Sequence, residues 1–322
     1  MKKLISLLLT LALLLSFSAC QKNENLDVKC NVYGIAGPTG IGLANLMKTA
    51  SNNEGNLDYN IALAASNDEI VAKISNKEAD IAAVATNLAS VLYNKTNGGI
   101  KVLAINTLGV LNVVTKGVEI ASIKDLKGKT VYSTGQGANP EYILSNILTN
   151  NGLKMGEDVK VEFVSQPTEL VSKVVTQKEA IVIAPQPVAT AITVKDKDAK
   201  IAINLNDEWD KFNETKLVMG CIIARTEFIE QNPDAIEVFL KDYEKSIKAV
   251  NEDIDSTATY CEEFGIVTPA AVAKKAIPYC NIVFQRDDEL KTNLSAYLQF
   301  LFKANPKSIG AKLPDENFYY SK

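Results

Sequence analysis

The chain has 322 residues, of which 47% are apolar and 22% are charged, and its formal net charge is −4. This composition is typical of a globular chain of one to three domains, and it excludes an intrinsically disordered protein. No basic run stands out, which argues against nucleic acid as a partner. The sequence contains no His, so the commonest general base and the usual zinc ligand are missing. Catalysis by carboxylates or Cys stays open, but an enzyme becomes less favoured, and we predict no metal, no cofactor and no enzymatic activity.

Residues 1–19 have the organisation of an export signal. Two lysines precede an apolar run at 4–15, which is too short for a comfortable membrane span, and small residues lead to Cys20. "FSAC" resembles a bacterial lipobox, in which the cysteine receives a lipid before cleavage, although Phe17 stands where Leu is preferred. The alternative is a plain secretory peptide. We expect an extracytoplasmic lipoprotein, anchored to the outer face of the cell membrane through Cys20, with residues 20–27 as a polar tether.

Four further cysteines, Cys30, Cys221, Cys261 and Cys280, allow three pairings, and the sequence does not choose among them. Cys221 lies in an apolar run, where a buried strand thiol is the simplest interpretation. Cys261 and Cys280 could pair in an oxidising compartment. None of the four has CxxC spacing, which argues against a metal or redox site.

Strand and helix patterns alternate along the chain, which favours an α/β fold with largely parallel sheets. A capping box of Ser66 and Glu69 predicts the start of a helix. In the first part of the chain, the apolar patterns predict strands at 28–36, 56–65, 79–87, 101–109 and 110–117.

The turn "GPTGIG" at 37–42 separates the first predicted strand from a helix. It is not a Walker loop, because no Gly-Lys-Ser/Thr ends it and Lys48 lies well inside the predicted helix. Pro38 is suited to the first helical turn.

The stretch "VVTKGVEIASIKDLKGKTVYSTGQG" resembles the type II periplasmic-binding-protein fold, the substrate-binding subunits of ABC importers. In that fold a strand that ends in a basic residue leads into I-x-S-x-x-D-L-K-G-K-x-V, which here runs from Ile120 to Val131. "NKEADIAAV" resembles the junction before the third strand, with Lys77 in place of the common Gly. The resemblance runs from about Val28 to the C-terminus and points to the nitrate/sulfonate/taurine and thiamine-pyrimidine-precursor branch.

The resemblance implies two lobes, each a mainly parallel sheet flanked by helices, with a cleft between them. We expect residues 28–115 and 218–322 to form lobe I and residues 116–217 to form lobe II, with hinges near 116–120 and 205–217. Later strands are predicted at 129–134, 158–164, 179–185, 199–205 and 217–229.

Sequence patterns in the C-terminal part of the chain predict helices that cover lobe I. Asn-Pro at 232–233 and Thr-Pro at 268–269 begin two of them. A third carries one apolar face, which is more typical of a core than of a partner groove; it comprises Leu290, Leu294, Tyr297, Leu298 and Leu301.

Ligands of open α/β sheets bind outside the carboxyl ends of the strands, at helix N-termini. The turn at 37–42 and its counterpart "STGQGANPE" at 133–141 would then face each other across the cleft, with Asn139 as a helix N-cap. Each candidate could instead be an ordinary turn or loop residue. The candidate ligand-binding residues are Pro38, Thr39, Gly40, Thr86, Asn87, Asn106, Thr107, Gly135, Gln136, Gly137, Asn139 and Gln186.

None of these loops holds Lys or Arg, so a strongly charged anion is a poor match. A neutral or zwitterionic polar molecule, a weak oxyanion held by helix ends, or a stacked heteroaromatic compound fits better. We predict a monomeric solute-binding subunit that captures a small polar organic molecule or oxyanion by lobe closure and delivers it to an ABC permease and its ATPase. The alternatives are a ligand-sensing surface lipoprotein and an enzyme of similar fold.

Overall fold

The structure is a computed structural model that describes residues 26–321. The predicted export signal, Cys20 and most of the predicted tether lie outside the described residues. Within the described part, the strands form one six-stranded and one five-stranded sheet. The strands are β1 (Lys29–Ile35), β2 (Asp58–Ala64), β3 (Ile81–Ala85), β4 (Ile100–Thr107), β5 (Leu111–Lys116), β6 (Thr130–Ser133), β7 (Lys160–Phe163), β8 (Ala180–Pro185), β9 (Ala199–Asn204), β10 (Gly220–Arg225) and β11 (Ile282–Gln285).

Helices connect the strands and cover both sheets. Short 3₁₀ helices occur at Ile123–Leu126, Ile277–Tyr279, Pro306–Ile309 and Glu316–Phe318. The α-helices are α1 (Pro38–Ile41), α2 (Ala44–Ser51), α3 (Asn67–Ser75), α4 (Thr86–Lys95), α5 (Asn139–Asn150), α6 (Pro167–Thr176), α7 (Val188–Lys195), α8 (Leu205–Asp210), α9 (Thr226–Gln231), α10 (Pro233–Glu252), α11 (Ile254–Glu263), α12 (Ala270–Ala276) and α13 (Asp287–Ala304).

Both sheets are mixed, with most of their strands running in one direction. The first has the order β11-β4-β10-β3-β1-β2, and β10 and β11 run against the other four strands. The second has the order β7-β6-β8-β5-β9, and among its described strands β5 alone is reversed. This confirms an α/β architecture of two sheets.

Residues 111–115, which we predicted to belong to lobe I, lie in the second sheet. Strand β5 pairs with β8 and β9 in the second sheet, where Val114 lies opposite Val182. The chain therefore crosses between the sheets at 108–110, before the predicted position near 116–120. Pairing between distant segments decides this placement, and the apolar pattern of β5 does not contain that information.

Alternate residues of the central strands enter different apolar clusters, as the two-residue period of a strand requires. On β3, Ile81 and Ala83 pack with α2, α10, α11 and α12, whereas Ala82 and Val84 pack with α4 and α13. The predicted apolar face of α13 is at most 1% exposed. The prediction that the C-terminal helices cover the first sheet is confirmed.

The helix-start signals in the sequence work largely as predicted. Pro38 is the first residue of α1, and Ser66 Oγ accepts a hydrogen bond from Glu69 N at 3.2 Å. The Glu69 carboxylate accepts from Ala65 N at 2.7 Å, one residue earlier than a capping box requires. Gly152, with φ +77°, follows the end of α5 as predicted.

The motif that carries the family resemblance is a helix cap. The Asp125 carboxylate accepts hydrogen bonds from the N–H groups of Ser122, at 2.8 Å, and Ala121, at 3.0 Å. These backbone hydrogen bonds lower the pKa of Asp125. The motif therefore caps the 3₁₀ helix that lies between β5 and β6 of the second sheet, and it has a structural role.

A buried ion pair connects three strands of the first sheet. Arg225 Nη2, at the end of β10, lies 2.7 Å from Asp80 Oδ1, and the two side chains are 12% and 7% exposed. The second carboxylate oxygen of Asp80 accepts from the backbone and side-chain nitrogens of Asn31, both at 2.9 Å. This network fixes β10 against β3 and β1.

The four described cysteines, Cys30, Cys221, Cys261 and Cys280, are free and buried. Cys221 lies on β10, which confirms the predicted buried strand thiol. Burial raises the pKa of all four thiols, that of Cys261 to about 12. Within residues 26–321 no helix has the length and apolarity needed to cross a membrane.

Candidate functional site

The two sheets are connected at the ends of their strands. Strand β4 ends at Thr107, and the chain enters the second sheet at Leu111, which pairs with Pro185 at the end of β8. On the return, Gly220 begins β10 and pairs with both Ala85 and Thr107. Because these connections join strand ends, the loops after β1, β6 and β8 are brought towards one cleft. This is the location where open α/β sheets bind ligands.

The turn after β1 reaches the cleft through Gly37 and Pro38. Gly37 has φ +113° and donates from its N–H to Ile266 O at 3.1 Å. Gly40 packs against the carbonyl of Ile35 so closely that a side chain would not fit, and it donates to Gly37 O at 3.1 Å. In this structure the N–H groups of both glycines are therefore occupied within the protein.

The counterpart turn after β6 contains two glycines with positive φ, Gly135 at +77° and Gly137 at +71°. Gly137 donates from its N–H to the Glu141 carboxylate at 2.6 Å, and Gln136 is exposed. Asn139 is the first helical residue of α5, so its prediction as the N-cap was wrong by one position. Its side chain is 4% exposed, and Oδ1 has no hydrogen-bond partner among the described residues.

Asn106 and Thr107, at the end of β4, are buried and bonded within the protein. Asn106 Nδ2 donates to Thr39 O at 3.1 Å and to the hydroxyl of Tyr243 at 3.0 Å. Its Oδ1 accepts from Thr107 Oγ1 at 3.1 Å. Burial raises the pKa of Tyr243, so its phenol is neutral. These contacts hold the carbonyl of Thr39 against the end of β4.

Thr86 and Asn87 begin α4 at the end of β3. Thr86 is fully buried, and its Oγ1 donates to Val218 O at 2.7 Å, which connects α4 to the segment before β10. Asn87 is half-buried in the same helical turn.

Gln186 is the residue in the cleft that most resembles a ligand contact. It is 1% exposed, and its backbone N–H donates to Val110 O at 2.9 Å. Its Oε1 accepts from Thr190 N at 3.3 Å and from Thr190 Oγ1 at 2.7 Å. Since a backbone N–H can only donate, these bonds fix the amide oxygen towards α7. Nε2 has no hydrogen-bond partner among the described residues.

Gln186 lines a cavity of about 380 Å³ between the sheets. Three regions form its walls: the turn after β1, the starts of α6 and α7 with the end of β8, and the loop from α11 into α12. The fifteen residues that line it carry no ionisable side chain. Its apolar wall includes Pro38, Val171, Val188, Ile266, Val267 and Val272.

Two of the candidates from the sequence, Pro38 and Gln186, line this cavity. The other ten lie outside the cavity lining, in first helical turns, at the end of β4 or in the turn after β6; they are Thr39, Gly40, Thr86, Asn87, Asn106, Thr107, Gly135, Gln136, Gly137 and Asn139.

The sequence analysis missed the wall formed by residues 266–272. Its signal is the short apolar run Ile266–Val267 before a proline, a pattern that fits any buried loop. Within the described residues no group of three or more Cys, Asp or Glu side chains is arranged to hold a metal ion.

Residues 53–255, more than half of the chain, match the model of the NMT1/THI5 like family. No curated protein matches the sequence.

Solved structures share the fold over almost the whole chain. An ABC transporter protein from Parabacteroides distasonis is 22% identical, with a TM-score of 0.78 over 92% of this chain and 100% of that one. The periplasmic aliphatic sulphonate binding protein SsuA of Escherichia coli is 12% identical, with a TM-score of 0.72 over 91% and 92% of the two chains. The periplasmic sulfonate-binding protein SsuA of Methylobacillus flagellatus is 18% identical, with a TM-score of 0.64 over 91% and 92% of the two chains. At these identities the likeness is one of fold, and it confirms the periplasmic-binding-protein architecture predicted from the sequence.

Proposed function

This chain belongs to the NMT1/THI5-like family, and from that premise we propose that it is the extracytoplasmic solute-binding subunit of an ABC importer. The observation that carries the proposal is the cavity between the two sheets, lined by Pro38 from the first and Gln186 from the second. A ligand there contacts both halves of the molecule, and such a ligand stabilises a closed form over an open one.

Two buried amides without complete hydrogen bonding support binding in this cleft. Gln186 Nε2 and Asn139 Oδ1 both lack partners among the described residues. They follow β8 and β6, which are neighbouring parallel strands of the second sheet. An unmet hydrogen-bonding group is costly when buried, so a ligand that satisfies it gains affinity.

The similar structures support transport rather than catalysis. One is described as an ABC transporter protein and two as sulfonate-binding proteins. We infer that this chain likewise delivers its ligand to a permease and its ATPase, acts as a monomer and performs no catalysis. Lipidation at Cys20 would keep it at the outer face of the membrane.

The lobes that close are proposed to be the two sheets with their covering helices. The connections at 108–110 and 205–219 would act as the hinges, because they are the segments that cross between the sheets. Residues 116–217 remain assigned to lobe II, with β5 added to it.

The proposal is tested by native mass spectrometry on the full chain, purified in detergent without denaturation and incubated with a metabolite extract. We expect one small molecule to bind and the radius of gyration in X-ray scattering to fall on binding. Ala191→Trp fills the cavity from α7 and should abolish binding, whereas Ala304→Trp, at the exposed end of α13, should not. Absence of any bound mass in the unmodified protein would reject solute binding.

Membrane attachment is tested separately. The full chain should fractionate with membranes and carry a lipid mass on Cys20, and Cys20→Ser should release it. If the unmodified sequence gives a soluble protein without a lipid on Cys20, the lipid anchor is contradicted, and the solute-binding proposal is not affected.

A further inference from the structure

The walls of the cavity between the sheets carry information about the charge of the ligand. Fifteen residues line it, and none has an ionisable side chain. Most of the lining is aliphatic or proline, contributed by α6, α7 and the loop before α12. A full charge placed there would lose its hydration without gaining a charged partner.

The N-termini of the helices at the cavity do not take the place of a positively charged side chain. Helix α6 begins with Pro167, and the Glu169 carboxylate in its first turn accepts from Gln166 N at 2.8 Å. That carboxylate already complements the positive end of the helix. An anion at the start of α6 would therefore meet a negative charge nearby.

At the start of α7 the backbone donors are partly occupied as well. The N–H of Thr190 donates to Gln186 Oε1 at 3.3 Å, and the N–H of Ala191 donates to Pro187 O at 2.9 Å. Among the side chains at this corner, Gln186 contributes Nε2, a neutral donor that is buried and has no hydrogen-bond partner among the described residues. The corner thus fits one hydrogen-bond acceptor, such as a carbonyl or ether oxygen or a ring nitrogen.

We propose that the cleft selects an uncharged molecule with a mainly apolar body and a hydrogen-bond acceptor directed at Gln186 Nε2. This inference rests on the solute-binding function proposed for the chain. The cavity volume of about 380 Å³ fits a small ligand, since small-molecule sites span roughly 300–1,000 Å³. This selectivity differs from that of the similar sulfonate-binding proteins, whose ligands carry a negative charge.

The test compares ligand pairs that share an apolar body and differ in charge. Benzamide is paired with benzenesulfonate, and cyclohexanecarboxamide with cyclohexanesulfonate. Binding to the full chain in detergent is measured by thermal shift and calorimetry at neutral pH. We expect the uncharged member of each pair to bind at least about tenfold more tightly, a difference of about 1.4 kcal/mol.

Two substitutions test the role of Gln186. Gln186→Glu keeps an acceptor for Thr190 and replaces the free donor with a negative charge. Gln186→Met removes the donor without adding charge. Both should weaken amide binding about tenfold or more, whereas Gln299→Glu, on the exposed face of α13, should not. The unfolding temperature of each variant is measured, and the comparison uses those that remain folded.

The possible outcomes distinguish a failure of the uncharged-ligand inference from a failure of the proposed solute-binding function. Tighter binding of the sulfonates, or amide binding that Gln186→Met leaves unchanged, would overturn the uncharged-ligand inference while solute binding stands. If neither class binds and the native protein captures no small molecule from an extract, the solute-binding function itself fails.

Discussion

Asn305 Nδ2, at the end of α13, donates a hydrogen bond to the hydroxyl of Tyr142 on α5, over 2.8 Å. Helix α13 packs on the first sheet, whereas α5 follows β6 of the second sheet. The bond therefore connects a helix that covers the first sheet to a helix of the second half. If the lobes separate as proposed, this bond breaks.

Tyr142→Phe should shift the molecule towards the open form. A neutral hydrogen bond contributes about 0.5–1.5 kcal/mol, so the ratio of closed to open molecules should fall about two- to tenfold. The measurement is the distance distribution between spin labels on cysteines introduced at the exposed positions Lys124 and Lys241. Tyr279→Phe, at a residue that is 61% exposed, serves as the control. Identical distributions for the two variants would mean that the bond does not stabilise closure.

Asp80→Asn should strongly destabilise the first sheet. The substitution removes the buried partner of Arg225, which is 12% exposed, and leaves it only the 44% exposed carboxylate of Glu227, 3.2 Å from Nη1. Breaking a buried pair costs about 3–5 kcal/mol, and we expect the lower end of that range because Glu227 remains. The free energy of unfolding is measured by urea denaturation. Lys274→Gln breaks an exposed pair with Asp255, and it should cost about 1 kcal/mol or less. If both variants lose the same free energy of unfolding, the Asp80 network contributes no more than an exposed ion pair.

The cap at Asp125 should make stability depend on pH in the acid range. Hydrogen bonds from the N–H groups of Ser122 and Ala121 lower the pKa of Asp125 in the folded state below its usual value of 3.8. A lowered folded pKa adds stability at pH values above the unfolded pKa, and this stability is lost as the pH falls through the folded pKa.

Asp125→Asn should therefore reduce the slope of stability against pH below about pH 4. Denaturation midpoints between pH 3 and pH 7 provide the measurement. Glu244→Gln, on the exposed surface of α10, removes the same charge and controls for net-charge effects. If the slope for Asp125→Asn matches that of the unmodified protein, the cap does not titrate as described.

The four described cysteines should be unreactive in the native protein. They are buried, and burial raises the pKa of each thiol, so little thiolate exists at pH 8. Alkylation followed by peptide mass spectrometry should find all four unmodified in the native state. After unfolding without reductant, all four should be modified. Protection of Cys261 and Cys280 in the unfolded protein would instead reveal a disulfide between them.

Local signals in the sequence were sufficient for most of the elements. The apolar pattern at 28–36, the proline that begins α1 and the apolar face of α13 each act within a few residues of the chain. Two start signals were displaced by one position: Glu69 reaches Ala65, and Asn139 lies inside its helix. Helix ends are decided by small energy differences, and a neighbouring contact can move them by a residue.

For this protein the sequence determined the alternation of strands and helices, the starts of many helices and the family resemblance. It also named Gln186 as a candidate, because an amide between two prolines at a strand end is visible in the chain alone. Three features become visible only in the folded chain: β5 belongs to the second sheet, residues 266–272 form a wall of the cavity, and Gln186 Nε2 has no hydrogen-bond partner among the described residues. The reason is physical: propensities and caps act over a few neighbouring residues. Strand pairing, cavity walls and unmet hydrogen bonds depend on segments that lie far apart in the chain and meet only when it folds.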